Sequence, residues 1–451
     1  MWYVTTSVIT KAIGLFVTPI FTRILTGEEY GSYSLYMSYL GLFSVICTAS
    51  FSAGVIYKGF QIFSERKNDF LSASFGFTLC FSSAICILLL IFSGVLGISF
   101  EFALILCIQL ITDSAVGLSL MRKRYYYKYK TVAAVGVFES VAAPALSLTL
   151  LYGAGLGFTA KLWGLLIPAL IAASPLAVGI VRKSSRLFDK EIWRYLFKRS
   201  LPLFPSVVSA AVSSNVASFI LAKEMGNDAL AKYSVTHSVG IGLMLIVSTL
   251  SASLSPWITR KLAAKRVDAV ADVIRVLFTL FGAATLFLVA LVPEVVSFLA
   301  PSEYAEAIPA ALPIALATLP SFLTSVAGIG LVFSDMGRRV SLSTVLGAIS
   351  NFLLCILSIP SFEYLGAGIS LLLSSLVSLI TSLFFLRKTS LGNIIKMRSV
   401  ITAFILTALY GILISLLYNY AALRILLLLV PATVIFRTLP SALDLIKEEN
   451  G

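Results

Sequence analysis

The sequence predicts an all-α polytopic membrane protein with about fourteen transmembrane helices. Three observations carry that expectation. The chain has 451 residues, of which 59% are hydrophobic and 12% charged, where ordinary soluble domains carry about 25% charged residues. Apolar runs of about 20 residues, each long enough to cross a bilayer, follow one another almost end to end. The 34 Lys and Arg residues are gathered into short clusters between those runs.

The runs are read in order from their boundaries. The first, 3–25, starts almost at the N-terminus and is expected to act as its own uncleaved insertion signal. Pro19 inside it removes a backbone hydrogen bond and invites a kink. The second, 31–55, opens after the acidic, glycine-flanked turn "TGEEYG" (26–31). The third and fourth, 70–93 and 96–121, are split by the short break "SGV" (93–95). The basic loop "RKRYYYKYK" (122–130) leads to the fifth, 131–151, and the glycine-rich turn "YGAGLG" (152–157) to the sixth, 158–181. The long basic segment "RKSSRLFDKEIWRYLFKR" (182–199) precedes the seventh, 200–222, bent at its start by Pro202 and Pro205. The eighth, 229–257, ends at "TRKLAAKR" (259–266); the ninth, 270–292, ends before "LAPSEYAEAIPA" (299–310). The tenth, 308–333, stops at "GRR" (337–339), and 341–360 and 366–386 form the next pair. "RKTSLGNIIKMR" (387–398) introduces the last two, 399–418 and 423–440.

Charge orients the spans. With the N-terminus in the cytoplasm, the loops after even-numbered spans and the C-terminal tail hold 28 of the 34 Lys and Arg. The outward side holds five: Arg23, Lys161, Lys223, Lys232 and Arg424. That asymmetry follows the positive-inside rule, and it places both termini in the cytoplasm. The net charge of +13 therefore reads as a membrane signal, with no nucleic-acid partner. The five cysteines, Cys47, Cys80, Cys86, Cys107 and Cys355, lie inside apolar runs without a CxxC pair, so neither a disulfide framework nor a metal site is expected. P-loop, HExxH and GxSxG motifs are absent. The outward loops are short, which disfavours an enzyme working outside the membrane.

A weak internal repeat organises the chain. "ILTGEEYGSYS" (24–34) is echoed by "ILAKEMGNDALAKYS" (220–234), six spans later. An even number of intervening spans gives both copies the same orientation. Two parallel six-helix lobes around a central cavity are one known transporter plan. The expected division is 1–185 for the first lobe, 186–390 for the second, and 391–451 for two extra C-terminal helices and a cytoplasmic tail.

Candidate functional residues are polar groups inside the spans. Ser7, Lys11, Thr18 and Thr22 share a narrow arc of the first helix. Ser206, Ser209 and Ser213 form a comparable stripe in the seventh, beside Asn215 and Ser218. Such stripes either pack helices tightly or line a water-filled path. Charges within spans are costly and usually face the interior. Lys11, Asp113 (with Gln109 one turn earlier) and Glu139 are of this kind, as structural ion pairs or as a coupling-ion site. Arg23 and Lys161 lie nearer the outer edge; Arg23 either faces the substrate, snorkels to the interface or pairs with Glu28 or Glu29. His237, the only histidine, is a packed polar residue or a proton or substrate contact. The substrate-binding candidates are Lys11, Arg23, Thr18, Thr22 and Asn215. The coupling or gating candidates are Asp113, Glu139 and His237.

"FTRILTGEEYGSYSL" (21–35) resembles the N-terminal signature of Wzx-type polysaccharide-unit flippases, at Arg23, Leu25, Gly27, Tyr30, Gly31 and Tyr33, with Thr26 where that family often has Gly. "PSEYAEAIPAALPIALATLP" (301–320) is similar to the family's Pro-x-x-Tyr-x-x-Ala element before the tenth span. "GAISNFLLCILSIPSFEYLGAGISLLLSS" (347–375) is similar to its Gly, Asn, Ile-Pro and Gly-Ala element, at Gly347, Asn351, Pro360, Gly366 and Ala367. The resemblance extends over nearly the whole chain. It implies membership of the superfamily of MATE exporters and lipid II flippases, two lobes, a central cavity and alternating access.

The implied substrate is an undecaprenyl-diphosphate-linked oligosaccharide, moved from the inner to the outer leaflet of a bacterial inner membrane for O-antigen, capsule or related lipopolysaccharide or polysaccharide synthesis. No cofactor is expected. Coupling to a proton or sodium gradient or to the membrane potential remains open. Membrane lipids, and a polymerase and chain-length proteins of the same pathway, are the expected partners. Spans 13 and 14 are expected to help hold the lipid tail. The alternatives are a MATE-like cation-coupled drug exporter and, from another class, a membrane polysaccharide polymerase or glycosyltransferase.

Overall fold

The computed structural model describes residues 2–48, 53–182, 184, 186–202 and 204–447, without the side chains of 2–9, 11–12, 53–54, 245, 252, 439 and 441–447. The described residues are helical, with no strand. In chain order the helices are α1 (Trp2–Ile24), α2 (Gly27–Cys47), α3 (Ala53–Ile62), α4 (Lys67–Phe92), α5 (Phe100–Tyr125), α6 (Tyr129–Ala154), α7 (Thr159–Val181) and α8 (Lys190–Ser200). They continue with α9 (Phe204–Gly240), α10 (Met244–Ala263), α11 (Val267–Leu299), α12 (Ala311–Phe333), α13 (Gly337–Leu386), α14 (Met397–Leu416), α15 (Ala421–Leu427) and α16 (Leu429–Lys447). Among the described residues, ten helices are long and apolar enough to cross a membrane by length and composition. Two of those ten, α9 and α13, are interrupted by non-helical residues, Gly226 and Glu363.

The chain forms two compact units, Met1–Phe219 and Ile220–Gly451. In the first, sequence dictates the turns closely. α2 starts at a capping box: the Thr26 hydroxyl accepts from the Glu29 backbone N–H at 3.2 Å, and the Thr26 N–H donates to Glu29 Oε2 at 3.0 Å. The box satisfies donors that every helix start leaves open. α6 ends at Gly155, whose φ of 62° only glycine adopts without strain. The pair then closes tightly, because a Cβ on Gly164 would lie 2.0 Å from Ser147 Oγ. α4 and α5 meet at Cys86 and Cys107, each thiol 3.6 Å from the other's backbone oxygen.

At the opposite end of this unit the charged groups tie the chain together. Arg66 reaches Glu191 at 2.6 Å and Asp189 at 3.7 Å, and Arg186 lies 3.7 Å from Asp69. The segment 182–199, expected from sequence as a basic loop, instead folds from Lys190 into α8. Asp189 caps it, accepting from Glu191 N and Ile192 N at 3.0 and 3.2 Å. Ile192, Leu196 and Ser200 recur at helical spacing and are buried, so the helix has a face to dock with.

In the second unit, α12 is the central element, with Leu319, Phe322 and Leu331 fully buried in a core shared with α10, α11 and α13. A straight helix of 50 residues, the length of α13, would run about 75 Å. Instead, the Ser382 hydroxyl donates to the Ser343 hydroxyl at 2.9 Å, and Gly347 lies against Ser378. The Ser358 hydroxyl donates to Gly366 O at 2.9 Å. These pairs run in opposite directions, so α13 is an antiparallel hairpin turning near Glu363, zipped by small residues as membrane helices are. Near the end of α11, Glu294 holds the buried guanidinium of Arg424 on α15, which also donates to Tyr418 O at 3.2 Å.

Candidate functional site

Several of the polar and charged groups that the spans carry lie in the first unit. Its most distinctive feature is Lys161, the third residue of α7 and only 8% exposed. Its Nζ lies 3.5 Å from the ring centre of Tyr33, 4.3 Å from Phe21 and 4.6 Å from Tyr30. All three are within the range at which a ring quadrupole attracts a cation. Phe21 comes from α1 and the tyrosines from α2, so three helices build the cage. The α6–α7 turn sets its position: Gly157 has a φ of +54°, and a Cβ there would come within 2.5 Å of Glu29 Oε1. Glu29, already fixed by the capping box, thus aligns the starts of α2 and α7.

From the cage, tyrosines at intervals of three continue along α2. The Tyr30 hydroxyl hydrogen-bonds Thr18. Tyr36 is fully buried, edge-on to Phe102 at 5.2 Å, and its hydroxyl has no partner. It lies within electrostatic range of Asp113. Asp113 accepts from Gln109 Nε2 at 2.8 Å, leaving the buried Gln109 Oε1 without a partner. Glu139 on α6 is likewise within electrostatic range of Asp113. Counting along α5 and α6, both carboxyl groups sit about 20 Å from the helix ends nearest Lys161, whereas Lys161 is about 3 Å in. The unit therefore has a cation near one end and two carboxyls at mid-depth.

The remaining candidates fall as follows. Thr22 is buried, and its hydroxyl donates to Thr18 O at 3.1 Å; Thr18 donates to Gly14 O at 3.0 Å. Both hydroxyls spend their hydrogen on the backbone, and Thr18 also meets the Tyr30 hydroxyl. Arg23 is exposed, and its Nη1 donates to Pro19 O at 3.0 Å. Asn215 lies against Gly41, its Nδ2 donating to Ala211 O at 2.8 Å and Ser214 Oγ at 3.1 Å. Its amide oxygen is the group left to offer. The side chain of Lys11 lies outside the described residues. His237, in the second unit, is half-buried with its ring 5.3 Å from Tyr233. Among the described residues, no group of three His, Cys, Asp or Glu stands together to hold a metal.

Sequence reading placed Lys161 at the outer edge and missed its cage. The signal was the spacing of Tyr30, Tyr33 and Tyr36 on one helical face; what could not be read was that Phe21 and Lys161 meet that face.

Solved structures share this architecture. A lipid II flippase, MurJ, in an inward closed conformation aligns over 97% of this chain and 99% of its own, with a TM-score of 0.73 at 14% identity. An inward-facing multidrug resistance MATE family transporter aligns over 84% and 96%, with a TM-score of 0.66 at 13% identity. A MOP superfamily transporter from Pyrococcus furiosus, described as having a binding pocket of reverse polarity, aligns over 86% and 93%, with a TM-score of 0.58 at 12% identity. No curated protein matches the sequence. Residues 20–309, more than half the chain, match the family described as polysaccharide biosynthesis protein. The chain belongs to the polysaccharide biosynthesis protein family, on the multi-helix membrane fold of the MurJ and MATE transporters.

Proposed function

We propose that the protein is a flippase for lipid-linked saccharides. It carries undecaprenyl-diphosphate-linked oligosaccharide units from the cytoplasmic to the outer leaflet of a bacterial inner membrane, with both termini cytoplasmic. The units serve O-antigen, capsule or a related envelope polysaccharide. The observation that carries this reading, beside the family, is the caged lysine. A diphosphate bearing sugars cannot leave water for hydrocarbon unless fixed groups replace its hydration. Lys161 is a cation whose neighbours are ring faces, worth about 2 kcal/mol when desolvated. Phosphate oxygens offer the same ammonium charge-assisted hydrogen bonds, which are stronger. An arriving diphosphate can therefore draw Lys161 off its rings, and the site gains an anion without having to expel a carboxylate.

Lys11 and Arg23 extend the same positive character along α1. Thr18 and the Asn215 amide oxygen offer acceptors to sugar hydroxyls, with Thr22 packed on the same arc of α1 behind them. Asp113 and Glu139 take the coupling role, binding a proton or sodium ion as access switches between the two leaflets, and His237 serves in gating. No bond is made or broken. Pathway partners are a polymerase and chain-length proteins that consume the displayed units.

The test is transport by purified protein in liposomes. A lipid-diphosphate-linked saccharide added on one side becomes accessible to a membrane-impermeant glycosidase on the other. Protein-dependent exposure supports the reading; no exposure, with or without a proton or sodium gradient, overturns it. The nearness of Asp113 to Glu139 favours one second reading, export of an organic cation. That reading requires efflux of a fluorescent cation that Asp113→Asn abolishes.

A further inference from the structure

We propose that α8 is a membrane-surface anchor that docks on anionic phospholipid headgroups. One face of the helix is fixed to the first unit. Ile192 and Leu196 are fully buried, the Trp193 indole N–H donates to Ala73 O at 3.0 Å, and the Tyr195 hydroxyl donates to Val55 O at 3.1 Å. The loop before it is pressed against α4, where a Cβ on Gly76 would come within 2.1 Å of Leu187 O. The helix is therefore held rigidly against the ends of membrane spans.

The opposite face is unlike an ordinary solvated surface. At 100° per residue, Lys190, Arg194 and Lys198 form one stripe on the side away from Ile192 and Leu196, with Leu201, the residue that caps the helix, within it and Phe197 at its edge. Phe197 is 56% exposed and Leu201 54%, beside the three basic residues. Glu191 is the acidic residue of the helix, and it is engaged with Arg66 at 2.6 Å. A net positive stripe interleaved with bulky apolar groups fits a headgroup boundary, where basic residues take phosphates and apolar ones enter the acyl edge. The chain position agrees, since α8 lies between α7 and α9, at the end of the unit where the basic loops gather. An acidic protein surface would match the charge but would leave Phe197 and Leu201 without a use. The occupant is accordingly anionic lipid, and each basic residue near such a surface favours it about fivefold. This inference requires only that the chain spans a membrane, and it does not depend on the transported substrate.

The test uses the full-length protein carrying Phe197→Cys and Cys80→Ser, the latter because Cys80 is an exposed thiol. A bimane probe on residue 197 is reconstituted in mixed phosphatidylcholine and phosphatidylglycerol vesicles in which one lipid or the other is brominated. Quenching several-fold stronger by brominated phosphatidylglycerol is expected, and adding Arg194→Gln and Lys198→Gln should equalise the two lipids. The same preference is expected in a Lys161→Ala protein, the variant expected to lose transport. Absence of quenching would show the face to be in water or against protein. Equal quenching without the glutamine substitutions, or a preference that survives them, would remove the anionic selectivity. Any of these results overturns the proposal.

Discussion

Two lysines, one in each unit, are held in opposite ways. Lys161 is caged by Phe21, Tyr30 and Tyr33, with its ammonium 3.5 Å from the nearest ring centre. The side chain of Lys232 is 12% exposed, and its Nζ lies 3.1 Å from Asp228 and 2.9 Å from Glu306. The first sets an amine among rings with no carboxylate in ion-pair contact, and the second sets an amine between two carboxylates. An arriving anion would have to displace two carboxylates at Lys232 but only ring contacts at Lys161. Arg424 with Glu294 is a third solution, neutral overall and suited to fixing α15 against α11. The difference separates side chains tied to carboxylates from one set against aromatic rings.

Substitutions can break this comparison, from the largest effect to the smallest. Glu294→Leu should leave the Arg424 guanidinium buried without its carboxylate and cost about 3 kcal/mol, read as a lower unfolding temperature in detergent. Arg424→Met in the same chain should recover most of that loss. Gly366→Val tests the α13 hairpin. Its Cβ would lie 2.4 Å from the Ser358 carbonyl oxygen, a backbone atom that cannot step aside, so about 2 kcal/mol of destabilisation is expected. Tyr33→Leu removes the nearest ring of the cage and should cost about 1 kcal/mol, with little change on adding salt. Glu306→Gln should cost only about 0.5 kcal/mol, and salt should erase it, because Glu306 is 60% exposed. Equal salt sensitivity at Tyr33 and Glu306 would mean that the two lysines are not held differently.

Much of the fold was readable in the sequence. Apolar runs and basic clusters defined a multi-helix membrane protein, and the break between the first two helices fell where expected, although α2 starts at Gly27, so that all of "TGEEYG" after its Thr26 cap is helix rather than turn. Its chemistry was not read: Glu29, weighed as a partner for Arg23, serves in the capping box with Thr26. α8 was hidden because its basic residues matched a loop signature while its buried face occupies only three positions. The candidate site was legible as a set of polar residues in the spans, Asp113 and Glu139 among them. The Lys161 cage was not, because it depends on α1, α2 and α7 meeting, and periodicity within one helix does not report contacts among three. The cysteines show the same limit, since Cys86 and Cys107 are neighbours only through the packing of α4 against α5.

The most direct measurement compares Lys161→Ala with Lys232→Ala in liposomes, following transfer of a lipid-diphosphate-linked saccharide at matched protein levels. The account predicts at least about a tenfold loss of rate for Lys161→Ala, equivalent to about 1.4 kcal/mol, partial retention in Lys161→Arg, and near-normal rates for Lys232→Ala. Normal transfer by Lys161→Ala, or an equal loss in both alanine variants, would contradict it.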